Sequence, residues 1–496
     1  MGFTSSQVLK SSFLSLAIKF IQKSLGLLST LILARVLTPD DFGIVAISAI
    51  VIHFCEALST AGSESYLIQQ TTLSDDDINS SWTLELCLKL SLWLILLGCI
   101  PFISDFYEQE ELNDLLLLSS FILIINSLKS PGVALLKKEL QYKPLFTLGI
   151  IQKLISFSIV MAIVYFSPSY WAIIIGDVAS ALVLMIGSYF IHTHRPRLCV
   201  KKIKQQFYFS KWILMKSVAG YSRAQMDVFF VGKLFSVEQL GAYNLARHLS
   251  IMPSTDIVAP AIEPLLASFS KVKHDNLLLN KQFYMSFFLV YLLITPLTVF
   301  MWFYPEKVID LILGKSWSAA YELLSALSIL LFTFSVGQII NPYLVAAGKV
   351  KAIFFYDVLS FIFVLIGLYY LHNNSLYDFA ILRGVLSIIP LVVMLTYIRT
   401  QTKLSILKLT LLLSPIMLTS IFAVNITGFL GSYESGAAFI DFAASTAIFF
   451  CIYFLSLAVL YLSFYQKNEE WGKVAQAVSK TYHHVKTYLL KKQQDS

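Results

Sequence analysis

Residues 13–35 read FLSLAIKFIQKSLGLLSTLILAR. The run is long and apolar enough to cross a bilayer as a helix, which takes about 20 residues. It nevertheless carries Lys19 and Lys23. A charged side chain at mid-bilayer costs about 2.5–3.5 kcal/mol on insertion scales, so such residues are kept where they face a bundle interior or a water-filled cavity. Residues 211–233, KWILMKSVAGYSRAQMDVFFVGK, repeat the device with Lys216 and Arg223. Two spanning runs with inward cations point to an anion held inside the membrane.

The rest of the 496 residues agrees with a membrane setting. The chain is 57% apolar and 14% charged, with a mean hydropathy of +0.72. Soluble domains hold roughly 45–50% apolar and about 25% charged residues. Fourteen apolar runs near spanning length follow one another, from 13–35 to 437–465. The expected fold is an all-α polytopic membrane protein with about 14 transmembrane helices. The net charge of +7 sits in short loops, so it is no nucleic-acid signal. The five cysteines (Cys55, Cys87, Cys99, Cys199, Cys451) have no metal-ligand spacing and read as small packing residues. No cleavable signal peptide is expected.

Loop charge sets the orientation. With the N-terminus in the cytoplasm, the inside segments carry 24 Lys and Arg and the outside segments only Arg35, Lys233, Lys307 and Lys315. Both termini are therefore expected inside. The expected division is an N-terminal six-helix bundle over 1–192, a basic cytoplasmic linker over 193–210, a second six-helix bundle over 211–400, two further helices over 401–466, and a cytoplasmic tail over 467–496. In the tail, Trp471, Val474, Val478, Tyr482, Val485 and Leu489 recur at helical spacing among lysines, as in a helix lying on an anionic leaflet.

The two halves share a joint. RVLTPDDFGI at 35–44 and KLFSVEQLGA at 233–242 match in character at an offset of 198. Six spans per half is an even number, so the repeats run parallel.

Polar residues fall on definite faces. In the first run Ser12, Ser15, Lys19, Gln22, Gly26 and Ser29 are spaced 3, 4, 3, 4, 3, and in the seventh Lys216, Gly220, Arg223 and Asp227 are spaced 4, 3, 4. Arg223 and Asp227 could alternatively neutralise each other, and Lys19 could reach the interface. The second run offers His53, Glu56, Thr60 and Glu64. The eighth offers Arg247, Asp256 and Glu263 and is broken by Pro253, Pro260 and Pro264. Arg383 lies deep in the twelfth run. Glu85, Asp177, Glu322 and Asp357 are candidate partners or proton sites.

Enzyme motifs are missing: there is no G-x-S-x-G, no H-E-x-x-H and no metal cluster. Gly314-Lys315-Ser316 falls short of a phosphate-binding loop, because Ile309 stands where the first glycine is needed.

The segment 33–70, LARVLTPDDFGIVAISAIVIHFCEALSTAGSESYLIQQ, resembles the N-terminal signature of polysaccharide exporters. These are Wzx-type flippases of the multidrug/oligosaccharidyl-lipid/polysaccharide superfamily, in their colanic-acid and teichuronic-acid branch. Leu135–Leu140 with Tyr142-Lys143, Ser169–Ala172, Asp227–Ala246, and Asn341-Pro342 followed by Ala347-Gly348-Lys349 extend the resemblance over about residues 5–400. It departs at Ala61-Gly62, where the family usually has an aspartate before the glycine. The resemblance implies two six-helix bundles forming a V, with the first, second, seventh and eighth helices lining a cationic cavity. Lys19, Lys23, Lys216 and Arg223 stand where a lipid diphosphate would be held. Gln22, Glu56, Asp227, Arg247, Asp256 and Arg383 are candidates for cavity lining or coupling.

The expected function is translocation of polyprenyl-diphosphate-linked oligosaccharide across the bacterial inner membrane, for O-antigen, capsule or exopolysaccharide synthesis. No catalysis and no cofactor are expected; membrane potential, H+ or Na+ are the candidate driving forces. Membrane lipids are expected partners, and a polysaccharide polymerase and chain-length regulator are candidate ones. A drug/cation antiporter of the same superfamily is the alternative, but a cation substrate calls for acids where this chain has lysine and arginine. A membrane-embedded polymerase or ligase is less favoured because the outer loops are short.

Overall fold

The computed structural model describes residues 23–59, 62–70, 72–139, 141–262, 265–370, 375–430 and 438–462. Lys19, Gln22, Thr60, Glu263 and the amphipathic tail lie outside them. The described residues are mainly helical and contain no strand. In chain order the helices are α1 (23–36), α2 (Pro39–Ser59), α3 (Ser63–Gln69), α4 (Asp75–Tyr107), α5 (Leu112–Ser127), α6 (Gly132–Lys138), α7 (Tyr142–Phe166), α8 (Trp171–Ile191), α9 (Ile203–Leu234) and α10 (Val237–Pro253). They continue as α11 (Ala259–Ile262), α12 (Leu265–Lys271), α13 (Asn276–Phe303), α14 (Pro305–Ile312), α15 (Ala320–Ala346), α16 (Val350–Tyr370), α17 (Leu376–Thr402), α18 (Ile406–Phe429) and α19 (Ala438–Leu460).

Among the described residues, nine helices are long and apolar enough to cross a membrane, or ten when α5 and α6, bent by 57°, count as one span. The protein is a multi-pass membrane protein. The cation-bearing α9 is not among the nine, because its polar face dilutes its apolar content. The eighth apolar run does not fold as one helix. Pro253 ends α10, and a π-helical turn follows over Ser254–Val258. Proline lacks the N–H that would close the ladder, and a wider turn absorbs the defect.

The chain forms two compact units. The first holds residues 1–248, 312–323 and 354–386; the second holds 249–311, 324–353 and 387–496. In the first, Tyr66, Tyr243, Trp317 and Phe379 are fully buried. In the second, α13 packs on α18 and α18 on α19, around Phe283, Phe288, Phe449 and Tyr453. Tyr453 Oη donates to the Leu292 carbonyl at 2.9 Å.

The repeated joint has a physical basis in the first unit. Thr38 N–H donates to Asp41 Oδ2 (2.9 Å) and Asp41 N–H to Thr38 Oγ1 (3.3 Å). Ser236 N–H donates to Gln239 Oε1 and Gln239 N–H to Ser236 Oγ, both at 3.2 Å. Each motif is thus a capping box that starts a helix, α2 in one case and α10 in the other. The two helix starts also meet. A Cβ on Gly43 would stand 2.1 Å from the Val237 carbonyl oxygen, and one on Gly241 would stand 1.8 Å from the Pro39 carbonyl oxygen. Position 39 corresponds to 237 and 43 to 241, so the contact is reciprocal, as at a pseudo-two-fold axis. Trp317 covers this joint, its Nε1 donating to the Ala34 carbonyl (2.6 Å) and its ring edge-on to Phe42.

The basic stretch before α9 is a strap laid on α4. Arg197 N–H donates to Asn79 Oδ1 (3.0 Å), Cys199 N–H to Thr83 Oγ1 (3.0 Å) and Lys202 N–H to Ser80 Oγ (3.2 Å). Lys201 pairs with Asp76 and Lys202 with Asp77. The start of α4 can receive the strap because Ser74 caps it and three aspartates fill its first turn.

Candidate functional site

Helix α9 brings most of the predicted charges together, on two faces. On one face lie Lys216, Gly220 and Arg223. They look toward α16, where a Cβ on Gly220 would stand 4.0 Å from Asp357 Oδ2. Arg223 Nε stands 2.8 Å from Asp357 Oδ1, an ion pair whose N–H is not aligned as a hydrogen bond. The guanidinium lies 5.7 Å from the centre of the Tyr356 ring, within cation–π range. Lys216, two turns earlier, is exposed and close enough for its charge to act on the same carboxylate. The Arg223 side chain keeps 26% of its surface accessible.

On the other face Asp227 is sealed, with no exposed surface. Its Oδ2 accepts from Arg247 Nε (2.8 Å), Arg383 Nε (3.1 Å) and Tyr243 Oη (3.0 Å). Arg247 also donates from Nη2 to the Ala224 carbonyl. The group ties α9, α10 and α17 together. Arg247 and Arg383 are 5% and 3% exposed. Breaking a buried pair by removing one partner costs about 3–5 kcal/mol, so this cluster holds geometry and presents no open charge.

The self-neutralising reading of Arg223 with Asp227 is therefore corrected. Residues four apart on a helix can meet. Here each instead finds a partner on another helix, Asp357 for Arg223 and two arginines for Asp227.

The other predicted residues that the structure describes sit on other elements. Lys23 opens α1 with an exposed side chain. Glu56 on α2 is half-buried, accepting from Asn126 Nδ2 (2.5 Å) and sitting 3.2 Å from His53 Nδ1. Asp256 belongs to the second unit, in the π-helical turn, where Thr255 Oγ1 donates to it at 3.0 Å. Tyr243 and Tyr356 were not singled out from the sequence; a phenol on a half-apolar helix carries no signal until its neighbour is known. Among the described residues, no group of His, Cys, Asp and Glu could hold a metal ion.

What remains accessible is an arginine and a lysine around one carboxylate, backed by a buried cationic cluster. Four cations face two carboxylates here. Such an arrangement can pair with an anion: a charge-assisted hydrogen bond is roughly twice as strong as a neutral one, and phosphate suits both arginine and lysine.

Comparison with known proteins bears on which anion. Residues 32–322 match the family described as "Polysaccharide biosynthesis protein". The chain is similar to the lipopolysaccharide biosynthesis protein WzxC of Escherichia coli (strain K12), 22% identical over 345 residues, 68% of this chain and 70% of that protein. It is similar to the succinoglycan biosynthesis transport protein ExoT of Rhizobium meliloti (strain 1021), 20% identical over 330 residues, 66% and 67% of the two chains. Its fold resembles a lipid II flippase, MurJ, in an inward closed conformation, with a TM-score of 0.71 at 15% identity, over 90% of this chain and 98% of that one.

Proposed function

Because the chain belongs to the polysaccharide biosynthesis protein family matched over 32–322, we propose that it is a flippase for polyprenyl-diphosphate-linked oligosaccharides. It carries repeat units from the inner to the outer leaflet of a bacterial cytoplasmic membrane by alternating access, with both termini in the cytoplasm. The relatives named for lipopolysaccharide biosynthesis and succinoglycan transport support a surface-polysaccharide substrate. The observation that carries the reading is accessible Arg223, paired with Asp357 of α16, with exposed Lys216 two turns earlier on α9.

At rest Asp357 is the counterion of Arg223. An arriving diphosphate takes its place on the guanidinium and adds Lys216, and Asp357 reclaims the pair when the lipid leaves. The exchange never leaves an arginine unpaired in low dielectric, where an isolated charge is most costly. Lys19 and Lys23 would add to the same anion from the first span. No chemical step is proposed. A drug/cation antiporter is disfavoured because the accessible charges of this site are cations.

Charge movement supplies a driving force. With the inside negative, each elementary charge moved outward with the field is worth about 2.3 kcal/mol per 100 mV. A dianionic headgroup leaving and a cationic site resetting inward both run with that field. Glu56, which Asn126 and His53 hold half-buried, is the better placed residue for H+ or Na+ coupling, since two guanidiniums already occupy Asp227.

The test is a cell in which the gene can be switched off. Depletion is expected to accumulate lipid-linked repeat units on the inner leaflet while the sugars are still made. Unaltered sidedness would overturn the proposal. In proteoliposomes, a rate indifferent to a clamped potential would remove the electrical drive alone.

A further inference from the structure

A cavity of about 170 Å³, lined by polar side chains and by Leu279, Leu344, Ala347 and Ile398, lies in the second unit where three chain segments meet. The turn before α13 brings Lys273 and its first turn brings Asn276; the end of α15 brings Tyr343 and, past the helix, Lys349; the end of α17 brings Gln401 and Thr402. An ordered water needs only roughly 10–15 Å³ of such space, so the cavity has room for a small polyatomic ion and its waters. None of the residues lining it is a carboxylate. We propose that it binds a phosphate group, either free or on an anionic lipid headgroup. This does not depend on the proposed transport substrate.

The cavity has a fixed floor. The Tyr343 hydroxyl is 1% exposed as a residue and stands 3.0 Å from Thr402 Oγ1 and 3.3 Å from Asn280 Oδ1. Asn280 Nδ2 donates to the Thr402 carbonyl at 2.7 Å. Helices α13, α15 and α17 are thereby locked at one point, and the rim side chains project from a rigid base.

The rim carries donors. Gly348 sits at φ +71°, the left-handed conformation that ends α15, and Lys349 N–H returns to the Leu344 carbonyl at 2.8 Å. That turn sets Lys349 on the cavity, which Lys273 also lines. The nearest acid in sequence, Asp275, is engaged elsewhere: its Oδ1 accepts from Leu277 N–H and Leu278 N–H at 2.9 and 3.1 Å. Two ammonium groups and two side-chain amides without a lining carboxylate match a phosphate, which accepts on every oxygen.

The experiment uses the full chain in nanodiscs, as wild type, Lys273→Gln/Lys349→Gln, Lys273→Arg/Lys349→Arg, and a control, Lys403→Gln/Lys408→Gln. One arm titrates inorganic phosphate in phosphatidylcholine discs and reads the thermal midpoint. The other counts phosphatidylglycerol retained by native mass spectrometry from mixed discs. The glutamine pair at the cavity is expected to weaken one of the two by at least about tenfold, with the arginine pair and the control near wild type. The arm that responds identifies the source of the phosphate. No difference between wild type and Lys273→Gln/Lys349→Gln in either arm, or an equal loss in the control, overturns the proposal.

Discussion

Gly43 meets the backbone of Val237 so closely that a Cβ would stand 2.1 Å from its carbonyl oxygen, and Gly241 meets Pro39 in the same way at 1.8 Å. The obstructing atoms are backbone, which cannot swing aside. Alanine at either glycine must therefore push two helix starts apart. Overpacking costs typically about 1–3 kcal/mol and sometimes more. Gly43→Ala and Gly241→Ala are expected to lower the thermal midpoint in detergent by similar amounts. Gly98→Ala in α4, where a Cβ meets nothing within 4 Å, is expected to be neutral or mildly stabilising. Unequal losses at the two glycines would break the equivalence of the two joints.

Asp227 is a carboxylate shared by two buried guanidiniums. Asp227→Asn is expected to cost about 3–5 kcal/mol, because the arginines lose their counterion while remaining buried. Adding Arg383→Met should recover part of that loss, since the two positions share one interaction and their effects do not add. Thermal midpoints of the two variants decide it. Additive losses would mean that the arginine does not depend on the aspartate.

The strap over α4 is held by Asn79, whose Oδ1 accepts from Arg197 N–H and lies 3.3 Å from His194 Nε2. Asn79→Ala leaves that N–H unmet, at a cost of about 1–3 kcal/mol. Trypsin should then cut at Arg197 or Lys201 roughly 5- to 150-fold faster. Burial also pushes the His194 imidazole below its ordinary value of 6.5, against the pull of Asp75. The opened strap thus binds a proton more readily than the closed one, so closure is fully favoured above that ordinary value and weakens as pH falls below it. Cleavage by an acid-tolerant protease should accelerate from pH 7 to pH 5. A flat profile would exclude His194 from the closure.

Asp357 offers a test of the exchange between counterion and substrate. If it only occupies Arg223 until an anion arrives, Asp357→Asn should tighten binding of a polyprenyl-diphosphate lipid and slow its release. If the pair is purely structural, the same change should lower the thermal midpoint and leave binding unchanged or weaker. Equilibrium binding in nanodiscs, paired with a melting curve, separates the two.

The membrane class and the cation-bearing runs were legible because burial in lipid demands apolar runs of a set length, and any exception stands out. The joint at 35–44 and 233–242 was visible for a related reason: capping and close approach each constrain residue type. Pairing was not legible. Asp227 and Arg383 are 156 residues apart, and periodicity along one helix does not say which neighbour faces it. The i,i+4 spacing of Arg223 and Asp227 therefore suggested a local pair that tertiary contacts override. The strap was read as a plain basic linker because its anchors are backbone N–H groups, which no side-chain pattern reveals.

The central claim is that the accessible cations of α9 hold the substrate's diphosphate. It is tested most directly by reconstituting wild type, Lys216→Ala, Arg223→Ala and the double variant in proteoliposomes with a polyprenyl-diphosphate-linked oligosaccharide, and measuring its transfer between leaflets at equal folded protein. The account predicts at least about tenfold slower transfer in the double variant, with partial rescue by Arg223→Lys. Transfer at the wild-type rate in the double variant would contradict it.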